Sequence, residues 1–293
     1  MMIVLGLAAG CGPSDRGTGG GGGGTGDLPD SNPNPGGNPG GGNGNSDGCS
    51  DEAKLVYVVD DDGRLSQFDP PTKTFHDLGS LSCPAPLSAT PFSMGIDRDA
   101  NAWVLYSNGE LFRVETKNNL ACTKAAWSPS TAGLKVFGMG FSTDVAGGTA
   151  DTLFIAGGSG PTAPKSTLAQ LDLATFQPAT RGMVTGWPEL TGTGSAELWG
   201  FFPATSGARV VRLDKTTGGT LQTYSLDSLA GDPRAWAFAF HGGDFWVFLK
   251  KDFEDDTTVY QVNGMTGAIT GSTLATGRSI VGAGVSTCAP VIL

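Results

Sequence analysis

The chain has 293 residues with 47 Gly and 18 Pro, only 16% charged side chains, and a formal net charge of −10. An acidic surface of this kind repels phosphate backbones, so nucleic acid is excluded as a natural partner. After the first ten residues no apolar run approaches the ~20 residues that a membrane helix needs, so any membrane link must sit at the start.

That start reads MMIVLGLAAG and is followed directly by Cys11. The segment Leu7-Ala8-Ala9-Gly10-Cys11 resembles the lipobox of bacterial lipoprotein signal peptides. The resemblance implies a signal over residues 1–11, diacylation of the Cys11 thiol, and cleavage that leaves Cys11 as the first residue. It also implies a location in the cell envelope, held to a membrane by the lipid. Gly12 rather than Asp after the cysteine favours the outer membrane on the same resemblance. No Lys or Arg precedes the apolar stretch, which is short for an export signal, so the natural start is expected upstream.

Residues 12–50 form the next segment. Between Cys11 and Cys49 lie 37 residues, 16 of them Gly, and Leu28 is the one sizeable apolar side chain. Such a segment cannot bury enough surface to offset its ordering entropy, which predicts a disordered spacer. Its typical reach is about 35 Å, enough to hold a domain away from a bilayer surface.

Residues 51–293 repeat. Apolar strands with a central aromatic occur at Val56-Tyr57-Val58, Ala102-Trp103-Val104, Leu153-Phe154-Ile155, Leu198-Trp199-Gly200 and Phe245-Trp246-Val247. Each is followed by a turn and a strand of fixed pattern: LSQFD from Leu65, LFRVE from Leu111, LAQLD from Leu168, VVRLD from Val210 and VYQVN from Val259. The alternation has period two, the mark of a half-buried strand. In four copies a Thr follows three residues after the final Asp or Asn: Asp69 with Thr72, Asp172 with Thr175, Asp214 with Thr217, and Asn263 with Thr266. Side chains of this kind cap backbone N–H groups at tight turns. Glu115, followed by Thr116-Lys117-Asn118, departs from the pattern. Hairpin turns are expected at Asp62-Gly63, Asn108-Gly109 and Ser206-Gly207.

The repeats begin 46, 57, 42 and 49 residues apart, the period of propeller blades. The strand Ser279–Val285 looks like the first strand of a blade, yet no full blade follows it, while the repeat at Leu55 lacks such a strand. The expected fold is therefore all-β: a single β-propeller of five four-stranded blades, with six as the alternative count. Its C-terminal strand completes the first blade and removes the open sheet edges. The strands ending in Asp-x-x-Thr-Gly, best seen at Asp214–Gly218 and in the related Asn263–Gly267, resemble those of bacterial repeat propellers. That resemblance implies a fold and no activity, because propellers host many functions.

Five cysteines are present, none in a CxxC pair. With Cys11 lipidated, four remain and allow three pairings. Ring closure favours Cys49 with Cys288 and Cys83 with Cys122.

No catalytic residue, metal ligand or cofactor site stands out. There is no G-x-S-x-G, and Ser159 in Gly157–Pro161 misses the last glycine. His76 and His241 are expected in exposed positions near strand ends and turns. Glycosidase chemistry needs paired acids, and only Asp97 and Asp144 fall near the candidate inner strands. Asp60-Asp61-Asp62-Gly63 lacks the alternate spacing of a calcium loop and reads as a hairpin turn, and Glu254-Asp255-Asp256 as a charged loop. Tyr57, Trp103, Phe154, Trp199 and Trp246 are expected to pack between blades, leaving Trp127 and Trp187, in connecting segments, as ligand candidates or, alternatively, as covers of blade edges. The expectation is a monomeric, non-enzymatic module for an envelope protein or glycan, with an extracytoplasmic polysaccharide hydrolase or lyase as the alternative.

Overall fold

A computed structural model describes residues 49–161 and 163–292; the expected lipidation at Cys11 and the spacer up to residue 48 lie outside the described residues. Twenty antiparallel strands form five four-stranded sheets. Blade 1 contains β1 (Val56–Asp60), β2 (Arg64–Asp69) and β3 (Thr74–Ser80). Blade 2 contains β4 (Pro91–Ile96), β5 (Asn101–Tyr106), β6 (Leu111–Glu115) and β7 (Ala121–Lys124). Blade 3 contains β8 (Val136–Thr143), β9 (Asp151–Gly158), β10 (Lys165–Leu171) and β11 (Pro178–Thr185). Blade 4 contains β12 (Glu189–Gly192), β13 (Leu198–Phe202), β14 (Ala208–Leu213) and β15 (Thr220–Leu226). Blade 5 contains β16 (Pro233–His241), β17 (Asp244–Lys251), β18 (Thr257–Asn263) and β19 (Ile269–Ala275).

The final strand, β20 (Ile280–Gly284), pairs with β1 in the register Tyr57 to Gly284, Val58 to Ala283 and Val59 to Gly282. Blade 1 is thus built from both ends of the described chain, and the ring has five blades. Around the axis β20 packs on β4, β4 on β8, β8 on β12, β12 on β16 and β16 on β20. All five inner strands run in one direction. We call the face where they begin the upper face and the face where they end the lower face.

The inner strands approach so closely that side chains are excluded at the contacts. A Cβ on Gly138 would stand 2.1 Å from the Pro188 carbonyl oxygen, and one on Gly192 would stand 2.1 Å from that of Phe141. This explains the alternating glycines of Phe137-Gly138-Met139-Gly140 in a strand that otherwise carries bulky residues.

The core is five wedges rather than one nucleus, each filled by two neighbouring blades. The repeated aromatics turn around the ring in step. Tyr57 packs into the wedge with blade 2, Trp103 with blade 3, Phe154 with blade 4, Trp199 with blade 5, and Trp246 with blade 1. Trp246 meets Phe68 edge-on at 5.1 Å across the closure, and Trp199 meets Phe245 at 4.8 Å. Burying a large ring at the same place in every blade gives each interface its main apolar area.

The recurring Asp and Asn residues cap turns on the lower face. Asp172 Oδ1 accepts the Ala174 and Thr175 amides at 2.7 and 3.0 Å, Asp214 Oδ1 those of Thr216 and Thr217 at 2.7 and 3.0 Å, and Asn263 Oδ1 those of Met265 and Thr266 at 3.2 and 2.9 Å. The fourth residue after each of Asp69, Asp172, Asp214 and Asn263 is left-handed: Lys73 (φ 56°), Phe176 (φ 54°), Gly218 (φ 73°) and Gly267 (φ 72°). Its N–H returns to the carbonyl of the Asp or Asn at 2.7 to 2.8 Å. Only two copies use glycine where the turn favours it.

Among the described residues there are two disulfides, Cys49–Cys288 spanning 239 residues and Cys83–Cys122 spanning 39. Cys288 follows the lower end of β20, so the first bond closes the ring on the lower face. The second ties the connection leading out of blade 1 to the outer strand of blade 2. Disulfides of this kind persist in oxidising compartments, which points to an extracytoplasmic protein.

Candidate functional site

An inner strand pairs along one edge only, and its other edge faces the axis with backbone groups in need of partners. Two side chains of the short strand β12 supply them. Thr191 Oγ1 accepts the Phe240 amide of β16 at 3.2 Å. Two residues earlier, Glu189 lies 3% exposed at the centre of the ring. Its Oε2 accepts a 2.7 Å hydrogen bond from Ser93 Oγ of β4, and its carboxyl also accepts the Met139 amide of β8. One carboxyl therefore bridges three blades. Burial pushes its pKa well above the usual 4.5, outweighing the Ser93 and Met139 hydrogen bonds that act the other way. Burial therefore favours the protonated form of Glu189.

Above Glu189 the upper face opens into a funnel of about 250 Å³. Phe92, Ala235, Trp236 and Val281 form apolar walls, and Asp61 and Arg234 stand at the rim. The Arg234 Nε is held by Asp252. Phe92 and Trp236 are half-buried. Trp236 differs from the other tryptophans of the chain. Trp103 donates its indole N–H to Asp97, Trp127 to the Gly109 carbonyl, Trp187 to that of Ala163, Trp199 to Glu197 and Trp246 to the His241 carbonyl. The Trp236 N–H has no such partner among the described residues. A half-buried indole with an open donor at the mouth of a central cavity is the arrangement of a ligand contact.

Trp127 and Trp187, the ligand candidates, are 3% and 7% exposed, in keeping with the alternative that they cover blade edges. Both fill the wedge between blades 2 and 3, with their N–H groups satisfied by backbone carbonyls. Their position in connecting segments suggested exposure, but the connections fold back over the blade edges. His241 is likewise not exposed: it ends β16 at 9% exposure, and burial lowers its pKa. It shares a cleft of about 260 Å³ at the foot of blade 1 with His76, which is exposed as expected.

The other acidic candidates serve the scaffold. Asp97 accepts from the Asp99 and Asn101 amides and from the Trp103 indole, organising the β4–β5 turn. Asp144 accepts from Thr152 Oγ1 at 2.6 Å. In the Asp60–Asp62 hairpin, Asp60 is buried and paired with Arg64 at 2.9 Å, whereas Asp61 and Asp62 are exposed. Glu254 caps the Lys251 amide at 2.7 Å, and Ser159 is exposed at the end of a strand. Among the described residues, no group of three or more His, Cys, Asp or Glu is placed to hold a metal ion.

Sequence reasoning missed Glu189 and Trp236. Glu189 sits in a four-residue strand too short for a periodic signal, although an acid aligned with Val136–Phe141 of the preceding blade would have marked it. Trp236 belongs to Trp236-Ala237-Phe238-Ala239-Phe240, whose alternation reads as core throughout.

No family model matches the chain, and no curated protein matches it. Solved structures similar to it include a chain of a nidogen/laminin complex, with 12% identity, 82% of this chain and 99% of that chain covered, and a TM-score of 0.49. A calcium-binding protein, regucalcin, from Agrobacterium tumefaciens shows 16% identity over 80% and 75% of the two chains, with a TM-score of 0.42. A protein of unknown function from Bacteroides caccae shows 14% identity over 75% and 73%, with a TM-score of 0.41. Likenesses this distant carry nothing about ligands or activity, and the five-bladed assignment stands on the strand pairing itself.

Proposed function

We propose that this chain is an exported lipoprotein whose propeller is a non-enzymatic interaction module, binding an envelope protein or glycan on its upper face. The carrying observation is the separation of the two ends of the ring. Cys49, where the chain enters the propeller, is bonded to Cys288 on the lower face, whereas the funnel with its open Trp236 lies on the upper face. The Cys11 lipobox resemblance and the glycine-rich segment after it supply the anchor and the tether.

The alternative, a polysaccharide hydrolase or lyase, calls for two acids converging on the centre. Among the described residues the funnel floor carries one buried carboxyl, Glu189, and Asp61 stands exposed at the rim. This disposition favours binding over turnover.

Capture from solubilised envelopes tests the reading: the native chain is expected to enrich a partner that Trp236→Ala loses. Failure to enrich any partner, together with turnover of a polysaccharide that Glu189→Gln abolishes, would establish the enzyme instead. The anchor is tested separately, because Cys11→Ser is expected to move the protein from the membrane to the soluble fraction.

A further inference from the structure

The floor of the funnel is built as a carboxylate site that lacks its cation. Two donors, Ser93 Oγ and the Met139 amide, point at the Glu189 carboxyl, as they would for an anion. Among the described residues no Lys, Arg or His forms an ion pair with it, and Arg234, the cation at the rim, is engaged by Asp252. Of the other elements around the funnel, β20 contributes the uncharged Val281, β4 contributes Phe92 and Ser93, and the blade 1 hairpin contributes the acid Asp61. Without a counter-charge burial favours the protonated carboxyl, because an unpaired buried charge is costly.

The walls suit the rest of such a ligand. Phe92 and Trp236 present half-buried aromatic surfaces, which attract cations through their negative faces and also cover methylene groups. A volume of about 250 Å³ accommodates a short unbranched stem more readily than a bulky head. Asp61 at the mouth and the net charge of −10 draw cations toward the entrance.

We propose that the funnel binds the ammonium end of an unbranched alkylamine, with Glu189 as its counter-ion and Phe92 and Trp236 flanking its stem. The proposal refines the reading of the upper face as the binding face. Proton balance follows from the pairing: the ligand enters as R–NH3⁺, Glu189 gives its proton to solvent, and the complex holds an ammonium carboxylate pair. Binding releases whatever proton Glu189 holds beforehand, up to one per ligand.

The test compares n-butylamine with n-butanol, its uncharged counterpart, on the full chain at pH 7. Binding is followed by the NMR shift of the Trp236 indole N–H and by calorimetry in two buffers of different ionisation enthalpy, which counts released protons. The amine is expected to bind at least about tenfold more tightly than the alcohol. Glu189→Gln should remove that preference and the proton release while circular dichroism and Tm show an intact fold. Trp236→Ala should weaken the amine several-fold. Equal binding of amine and alcohol, a preference retained in Glu189→Gln, or tighter binding of glucose than of the amine would each overturn the proposal. Partner capture that still depends on Trp236 after such a result would leave the binding face in place and reject the ligand class alone.

Discussion

The two faces of the ring differ in whether their buried acid has a counter-charge. On the lower face an acid–base pair is tied to the closure, although Asp151 Oδ1, Thr143 Oγ1 and His241 Nδ1 are buried there without a hydrogen-bond partner among the described residues. Arg98 reaches Asp151 at 3.2 Å and the Gly148 carbonyl at 2.8 Å, Thr287 Oγ1 donates to Asp151 at 2.6 Å, and Cys49–Cys288 lies alongside, with its Cys49 Sγ 3.4 Å from Arg98. On the upper face the buried acid Glu189 has hydrogen-bond donors but no counter-charge, and the neighbouring Trp236 keeps its N–H open. Incomplete pairing thus occurs on both faces, and what sets the upper face apart is a buried acid at the axis with no cation paired to it.

The largest expected effect comes from opening the lower face. The double variant Cys49→Ser/Cys288→Ser should lose up to ~5 kcal/mol in chemical denaturation, because the bond constrains a very long loop of the unfolded chain. An unchanged midpoint would show that the β20–β1 pairing alone closes the ring. Next comes Arg98→Ala, which strands the Asp151 carboxylate in a buried site and should cost about 3 kcal/mol. A loss below about 1 kcal/mol would mean that water reaches Asp151 and screens it.

Glu189 tests the upper face through pH. Its pKa in the folded protein lies above the usual 4.5, so its contribution is fully present below that value and is lost as pH rises toward the raised one. Tm of the native chain measured from pH 4 upward should therefore fall relative to that of Glu189→Gln. Parallel curves would show that the carboxyl is already paired or hydrated. The smallest effect is expected at Lys73, whose left-handed φ of 56° is strained for a side chain. Lys73→Gly should gain about 0.5 kcal/mol, the relief of strain being partly offset by the greater freedom of glycine when unfolded.

Much of the scaffold was legible before folding because it repeats. Tyr57, Trp103, Phe154, Trp199 and Trp246 occupy one place in five blades, and equal places in a ring have equal neighbours. The turns after Asp172, Asp214 and Asn263 were legible for a different reason: their hydrogen bonds span only two or three residues. The incomplete repeats at Leu55 and Ser279 pointed to a shared blade, and the ring closure paired Cys49 with Cys288.

The local pattern failed where exposure depends on how segments fold back. Trp127, Trp187 and His241 lie near turns or in connections, yet each is covered by neighbouring structure. The candidate site failed for a related reason. Ser93, Met139, Glu189 and Trp236 belong to four different blades and meet only when the ring is closed. By itself the sequence determined the blade repeat, its closure and the turn chemistry, because repetition and short-range hydrogen bonding are written in local order, while the strand pairing decided five blades over six. Only the tertiary structure decided that one acid would stand at the axis beneath a half-open tryptophan, because desolvation is a property of the closed ring and of no single strand.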